Sequence, residues 1–231
     1  MHIQGLQKLT LLDYPGKAAC TIFLAGCNFR CPFCHNASLV THVDLQNDMQ
    51  EEQVMDFLKK RSRVLDGVCI TGGEPLLEPG LEEFMRKIKS IGYSIKLDTN
   101  GSNVDRLQHL AGEGLIDYVA MDIKNAPAKY GMTIGNEAFN TETVCRSAEY
   151  LMAGEIPYEF RTTVVREFHK REDFEAIGRW LKGAKQYFLQ AFADSGDLIQ
   201  PGLHGYTREI MEQALEIIRK YIPAAQIRGM D

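Results

Sequence analysis

The chain has 231 residues, 45% of them apolar and 25% charged, with a net charge of −5. That length suits a single α/β domain with a full hydrophobic core. The mild acidity, with no Lys/Arg block, excludes an electrostatic nucleic-acid binder, and no stretch predicts a membrane-spanning helix, so the expected location is the reducing cytoplasm.

In chain order, the apolar run 18–27 behind Lys17 has the look of a signal-peptide core. It is too short to span a bilayer and follows a charged Pro-Gly segment, and it reads as a buried strand. Strands are predicted at 18–24, 67–71, 94–98, 118–122, 158–165 and 186–192, and helices at 50–64, 81–91, 104–113, 141–152 and 172–181. The first helix places Val54, Phe57, Leu58 and Arg61 on one face; the second does so with Phe84, Met85, Ile88 and Ile91. A last helix covers about 207–221 and stops at Ile222-Pro223, and 226–228 can add an edge strand. The stretch 125–140 carries no clear pattern.

Alternating strands and helices, with near-continuous apolar strands, predict a parallel sheet covered by helices. Six such units are too few for a closed eight-fold barrel; an open curved sheet and a doubly wound sheet both satisfy the pattern. In either, ligands gather at the carboxyl ends of the strands. Those ends carry a cysteine loop, Gly72-Gly73-Glu74-Pro75, Asp98-Thr99-Asn100-Gly101 and Asp122-Ile123-Lys124-Asn125. No linker divides the chain. One domain is expected, with a core of about 17–195 and a C-terminal helix and tail of about 205–231.

The cysteine loop, Cys27-Asn28-Phe29-Arg30-Cys31-Pro32-Phe33-Cys34, sets three thiols in eight residues. Structural zinc takes four ligands and an ordinary cubane cluster four cysteines, so a trio leaves one metal corner open. Cys31-Pro32-Phe33-Cys34-His35 also spells the haem-attachment pattern, whose chemistry occurs outside the cytoplasm. A zinc knuckle using adjacent Cys34 and His35 is sterically awkward, and a redox pair leaves Cys27 unused. A site-differentiated 4Fe–4S cluster uses all three. Cys20, Cys69 and Cys145 read as small buried hydrophobes. The glycines of Thr71-Gly72-Gly73-Glu74-Pro75 let backbone approach a ligand closely; alone, the turn also reads as a plain helix start with Pro75 in its first turn.

Together, Cys27-x3-Cys31-x2-Cys34 and Gly72-Gly73-Glu74-Pro75 resemble the radical S-adenosylmethionine (SAM) superfamily. A finer likeness lies in Leu12-Asp13-Tyr14-Pro15-Gly16-Lys17, the cysteine loop with His35-Asn36, Leu97-Asp98-Thr99-Asn100-Gly101, Met121-Asp122-Ile123-Lys124 and Ile227-Arg228-Gly229. It is to the glycyl-radical-enzyme activating enzymes, most of all the anaerobic ribonucleoside-triphosphate reductase activating proteins. The resemblance implies a partial (βα)6 barrel of the radical SAM type and an oxidoreductase with one 4Fe-4S cluster and SAM. The implied reaction is reductive SAM cleavage followed by hydrogen abstraction from a glycine Cα of a partner, a glycyl radical enzyme. A flavodoxin- or ferredoxin-type electron donor is implied as well, and neither nucleic acid nor membrane. A formate-lyase-type partner, a small-molecule substrate and a non-catalytic zinc-binding protein are the other readings carried.

The resemblance also implies roles. Cys27, Cys31 and Cys34 would ligate the cluster, with Phe33 and His35 on the adenine side of SAM. Gly72, Gly73 and Glu74 would meet its methionine end. Asp98, Thr99 and Asp122 match positions that hold a monovalent cation beside the SAM carboxylate, with Asn100 in the same motif. Ile123, Lys124 and Asn125 would line the pocket. Arg161 either reaches the cofactor or neutralises a neighbouring carboxylate. The sixth predicted strand ends Leu189-Gln190-Ala191-Phe192, without the histidine of the formate-lyase activase.

Overall fold

The computed structural model describes every residue except Leu45, Asn47, Glu155 and Asp231. Its strands are β1 (Ile3–Thr10), β2 (Ala19–Leu24), β3 (Gly67–Gly72), β4 (Ser94–Thr99), β5 (Tyr118–Asp122), β6 (Tyr158–Val164), β7 (Tyr187–Ala191) and β8 (Gln226–Arg228). The helices are α1 (Ser38–Thr41), α2 (Glu51–Arg61), α3 (Leu81–Ile91), α4 (Val104–Gly112), α5 (Tyr130–Thr133), α6 (Glu142–Ala153), α7 (Arg171–Trp180) and α8 (Arg208–Arg219). In this α/β fold β1 to β4 follow one another in chain order within a sheet, as do β6 to β8. β2, β3 and β4 pair in parallel, as do β6, β7 and β8, while β1 pairs antiparallel with β2.

Contacts divide the chain into two compact units. The first comprises Met1–Asn28, Ser38–Thr99 and Asn103–Ala120. The second comprises Phe29–Ala37, Asn100–Ser102 and the chain from Met121 onward. In the first, β2 is buried along almost its whole length, as its apolar sequence requires, and the signal-like run is indeed a strand. α3 buries Leu81, Phe84, Met85 and Ile88, an i, i+3, i+4, i+7 stripe, and ends where Gly92 takes φ +104°. In the second unit, α8 buries Met211, Ala214, Leu215, Ile217 and Ile218.

Three details differ from the sequence reading. β1 was not predicted: its residues are mostly half-buried or exposed, so no period-2 alternation marks it. In α2 the buried residues are Val54, Met55 and Leu58 and Phe57 is half-buried, whereas Arg61, whose charge is costly to bury, is exposed in the last turn. Cys20 and Cys69 are fully buried, but Cys145 on α6 is only half-buried. The unpatterned stretch holds a short 3-10 turn, Pro127–Lys129, followed by α5.

Candidate active site

In the first unit, the end of β3 is fastened to the start of the cysteine loop. Gly73 N–H donates to Leu24 O at 2.8 Å, and Glu74 N–H donates to Gly26 O at 2.7 Å. A Cβ on Gly72, which has φ +120°, would fall 2.2 Å from Leu24 O, and one on Gly73 would fall 1.9 Å from Gly26 O. Two glycines are therefore required for backbone to pass against backbone here. Gly26 itself takes φ +85° and donates to Leu39 O at 2.8 Å, which sets the chain's direction into Cys27.

Glu74 is only 1% exposed. Its Oε1 accepts the Leu76 N–H at 3.1 Å and the Thr99 hydroxyl at 2.7 Å, so the carboxylate is held by its own turn and by the end of β4. Asp98, one residue earlier on β4, pairs with Lys96.

In the second unit, the remainder of the loop is tied at several points. Arg30 N–H donates to Ile134 O at 2.9 Å, Gln200 N–H to Pro32 O at 2.9 Å, and Cys34 N–H to Cys31 O at 3.0 Å. Cys31 is buried and Cys34 half-buried. Phe33 packs against Phe168, with ring centroids 5.5 Å apart, and against His169. The His35 ring, partly exposed, stacks on Phe192 at 5.4 Å and 29°. Loss of hydration, and then the charge of Lys124, push its imidazole below the usual histidine range.

β5 ends in Asp122, whose two oxygens meet Arg161 Nε and Lys124 Nζ, each at 2.9 Å. Burial would raise this carboxyl, but the two cations outweigh it and hold the pKa at about 2. Burial works against the Lys124 ammonium, whereas Asp122 and Cys31 favour it, and the net direction is upward. The main chain here is equally fixed. Ile123 N–H donates to Arg161 O at 2.7 Å, and the Thr162 hydroxyl donates to Ile123 O at 2.7 Å. His169 Nε2 bonds Lys124 O at 2.9 Å. Because Val165 N–H donates to Nδ1, the proton belongs on Nε2.

Several expected residues are committed to protein partners. Asn125 is fully buried, its amide donating to Thr133 and Phe168 O while its oxygen accepts Ala126 N–H. The Asn100 oxygen accepts Ser102 N–H at 2.9 Å, which shapes the turn after β4. Such residues hold the backbone of their own loops.

Sequence reasoning missed Lys96, His169 and Phe192. Lys96 carried a usable signal, since a lysine two residues before an aspartate on an apolar strand shares its face. Phe192 was noted only for not being histidine. His169, just before α7, carried none.

These features define a parallel α/β protein with polar groups at the carboxyl ends of its strands. The fold matches the solved structure of Streptococcus suis SuiB bound to the precursor peptide SuiA, with a TM-score of 0.71, at 14% identity over 90% of this chain and 48% of that one. This chain therefore spans about half the length of that structure, and the likeness is one of fold.

The sequence comparisons narrow the class. Residues 21–181 match the model of the Radical SAM superfamily. A Methanocaldococcus jannaschii protein named for glycyl-radical enzyme activation is 32% identical, over 99% of this chain and 96% of its own length. The chain belongs to the radical SAM superfamily. The pyruvate formate-lyase-activating enzyme of Clostridium pasteurianum is 28% identical over 54% of this chain and 52% of that protein. Membership makes this a radical-forming enzyme and implies a 4Fe–4S cluster and SAM. No helix among the described residues is long and apolar enough to cross a membrane.

The donor chemistry of the cysteine loop suits the cluster, although no three His, Cys, Asp or Glu side chains among the described residues are gathered to hold a metal ion. None of the six cysteines is in a disulfide, and the three loop thiols are soft donors on a segment anchored at both ends. Gly72 and Gly73 keep the turn free of side chains where backbone passes closest. The monovalent cation fits poorly. Asp98 already carries Lys96, and Asp122 already carries Arg161 and Lys124, so each carboxylate has its counter-charge from the protein.

Proposed function

We propose that this chain is a glycyl-radical-enzyme activating enzyme, with an anaerobic ribonucleoside-triphosphate reductase as its partner. The observation that carries the activase reading is the likeness to the Methanocaldococcus protein along nearly the full length of both chains, whereas the reductase as partner rests on the motif resemblance alone. The fastening of Gly73 and Glu74 to Leu24 and Gly26, beside Cys27, supports a shared cofactor site.

When bound, the cluster and SAM supply one-electron cleavage of a sulfonium bond and hydrogen abstraction from a glycine Cα. Cys27, Cys31 and Cys34 hold the cluster. Gly73 and Glu74, whose turn is fixed by Leu76 and Thr99, would meet the methionine end of SAM. The His35 ring, backed by Phe192, offers an aromatic face to the adenine, with Phe33 beneath the loop. Lys124 and Arg161, held by Asp122, present positive charge to the SAM carboxylate. Gly72, Asn100, Ile123 and Asn125 shape the turns. Burial of Glu74 and Ile123 excludes water from their surroundings. A flavodoxin- or ferredoxin-type protein delivers the electron.

The test is electron paramagnetic resonance on anaerobic protein with SAM, reductant and candidate partners. A glycyl-radical doublet on the reductase supports the proposal. A doublet only on a formate-lyase-type partner, a reading favoured by the Clostridium match, reassigns the partner. SAM cleavage with no glycyl radical on either overturns the activase reading.

A further inference from the structure

β4 buries a lysine. Lys96 is 1% exposed, among the largest fully buried side chains of the protein. The register aligns Thr21 on β2 with Cys69 on β3, and Cys69 with Lys96. Lys96 therefore sits in a row with a buried hydroxyl and a buried thiol, one step deeper along the strand than Asp98. Side chains at i and i+2 share a face of a strand, and the Lys96 ammonium meets the Asp98 carboxylate there. The Thr21 hydroxyl in that row is itself taken, donating to Asp13 at 2.5 Å.

A buried ion pair is no gain for stability, because an apolar side chain of the same length packs as well without desolvating two charges. The charge at position 96 therefore calls for another reason, and its partner supplies one. Asp98 is the penultimate residue of β4, and the last, Thr99, bonds Glu74. An ammonium resembles potassium in charge and size, and it stands where the carboxylate needs a counter-ion. In the second unit, Asp122 is likewise neutralised by Arg161 and Lys124.

We propose that Lys96 is a positioning residue, a built-in counter-cation that fixes Asp98 in place of a free monovalent ion, so that this enzyme binds SAM without sodium or potassium. This rests on the SAM-binding reading given above.

The experiment measures SAM affinity of cluster-reconstituted protein by equilibrium dialysis, alongside the SAM-induced change in the spectrum of the reduced cluster. Buffers contain tetramethylammonium, too bulky for such a site, either alone or with added potassium or sodium. The wild-type affinity is expected to change by less than about twofold between them. Lys96→Met, which keeps an unbranched side chain one atom shorter and removes the charge, is expected to bind SAM about tenfold more weakly in tetramethylammonium and to recover most of that loss in potassium or sodium. Recovery by a small cation is a response that a merely structural lysine would not give.

Wild-type protein that binds SAM only with an alkali cation overturns the proposal, as does a Lys96→Met affinity that is unchanged or unrescued. If Lys96→Met does not fold, the wild-type comparison decides alone. Failure of the wild type to bind SAM in every buffer overturns the functional reading itself and this proposal with it.

Discussion

The backbone N–H of Glu74 donates to the carbonyl oxygen of Gly26 at 2.7 Å, which fastens the turn after β3 to the residue preceding Cys27. With the Gly73–Leu24 bond, it ties the glycine turn to the start of the cysteine loop. Its geometry depends on Gly73, where any Cβ would meet the same carbonyl oxygen at 1.9 Å.

Gly73→Ala is therefore expected to destabilise the protein by about 1–3 kcal/mol, since backbone must shift to admit the methyl group. It should also lower the iron and sulfide retained after reconstitution. Gly112→Ala is the control: it ends α4 with nothing within 4 Å of its Cβ and is expected to be neutral or stabilising by up to about 1 kcal/mol. Urea denaturation and metal analysis check both.

Individual replacement of Cys27, Cys31 or Cys34 by alanine should abolish the 4Fe–4S spectrum. Cys69→Ala should keep it and cost roughly 1–2 kcal/mol, the loss of a buried sulfur and the space it filled. Equal loss of the cluster in Cys69→Ala would show that the loop trio is not the ligand set. Visible absorbance and acid-labile sulfide report the outcome.

Asp122 makes the stability of the cluster-free protein depend on acid. Its folded pKa of about 2 lies below the ordinary value of 3.8, so the unfolded chain binds the proton more readily. The contribution is fully present above pH 3.8 and is lost as pH falls through about 2. Its size is on the order of 2 kcal/mol. Asp122→Asn should flatten the stability profile over that window, as followed by denaturation at a series of pH values.

Arg228 on β8 grips Glu159 of β6 with both nitrogens, at 2.7 and 2.9 Å, and lies over the Phe188 ring at 3.3 Å. Glu159 is 1% exposed, so Arg228→Met should cost about 2–4 kcal/mol by taking the guanidinium charge away from a buried carboxylate. The double variant Arg228→Met/Glu159→Gln should recover much of that. A double-mutant cycle by urea denaturation measures the coupling.

Much of this was legible in one dimension. The span of β5 matches its prediction residue for residue, as do α3 and β8, because apolar periodicity and end signals are local. Gly72 and Gly73, expected to let backbone approach a ligand, make a close approach within the chain itself. What approaches is the backbone of Leu24 and Gly26, a partner that a sequence does not name. Arg161 was left between two roles, and it pairs with Asp122. β1 and His169 escaped, the one for lack of alternation and the other for lack of any pattern.

The sequence by itself determined the three-thiol loop, the glycine turn at a strand end and the alternation of strands with helices. Each is written in neighbouring residues, whose chemistry and spacing act over a few bonds. Only the tertiary structure decided that Lys96 serves Asp98, that Arg161 and Lys124 share Asp122, and that His169 holds the carbonyl of Lys124. Those pairings follow from strand register and from where the loops return. A charge finds its partner through space, and the chain's order does not record which of several opposite charges will be within reach.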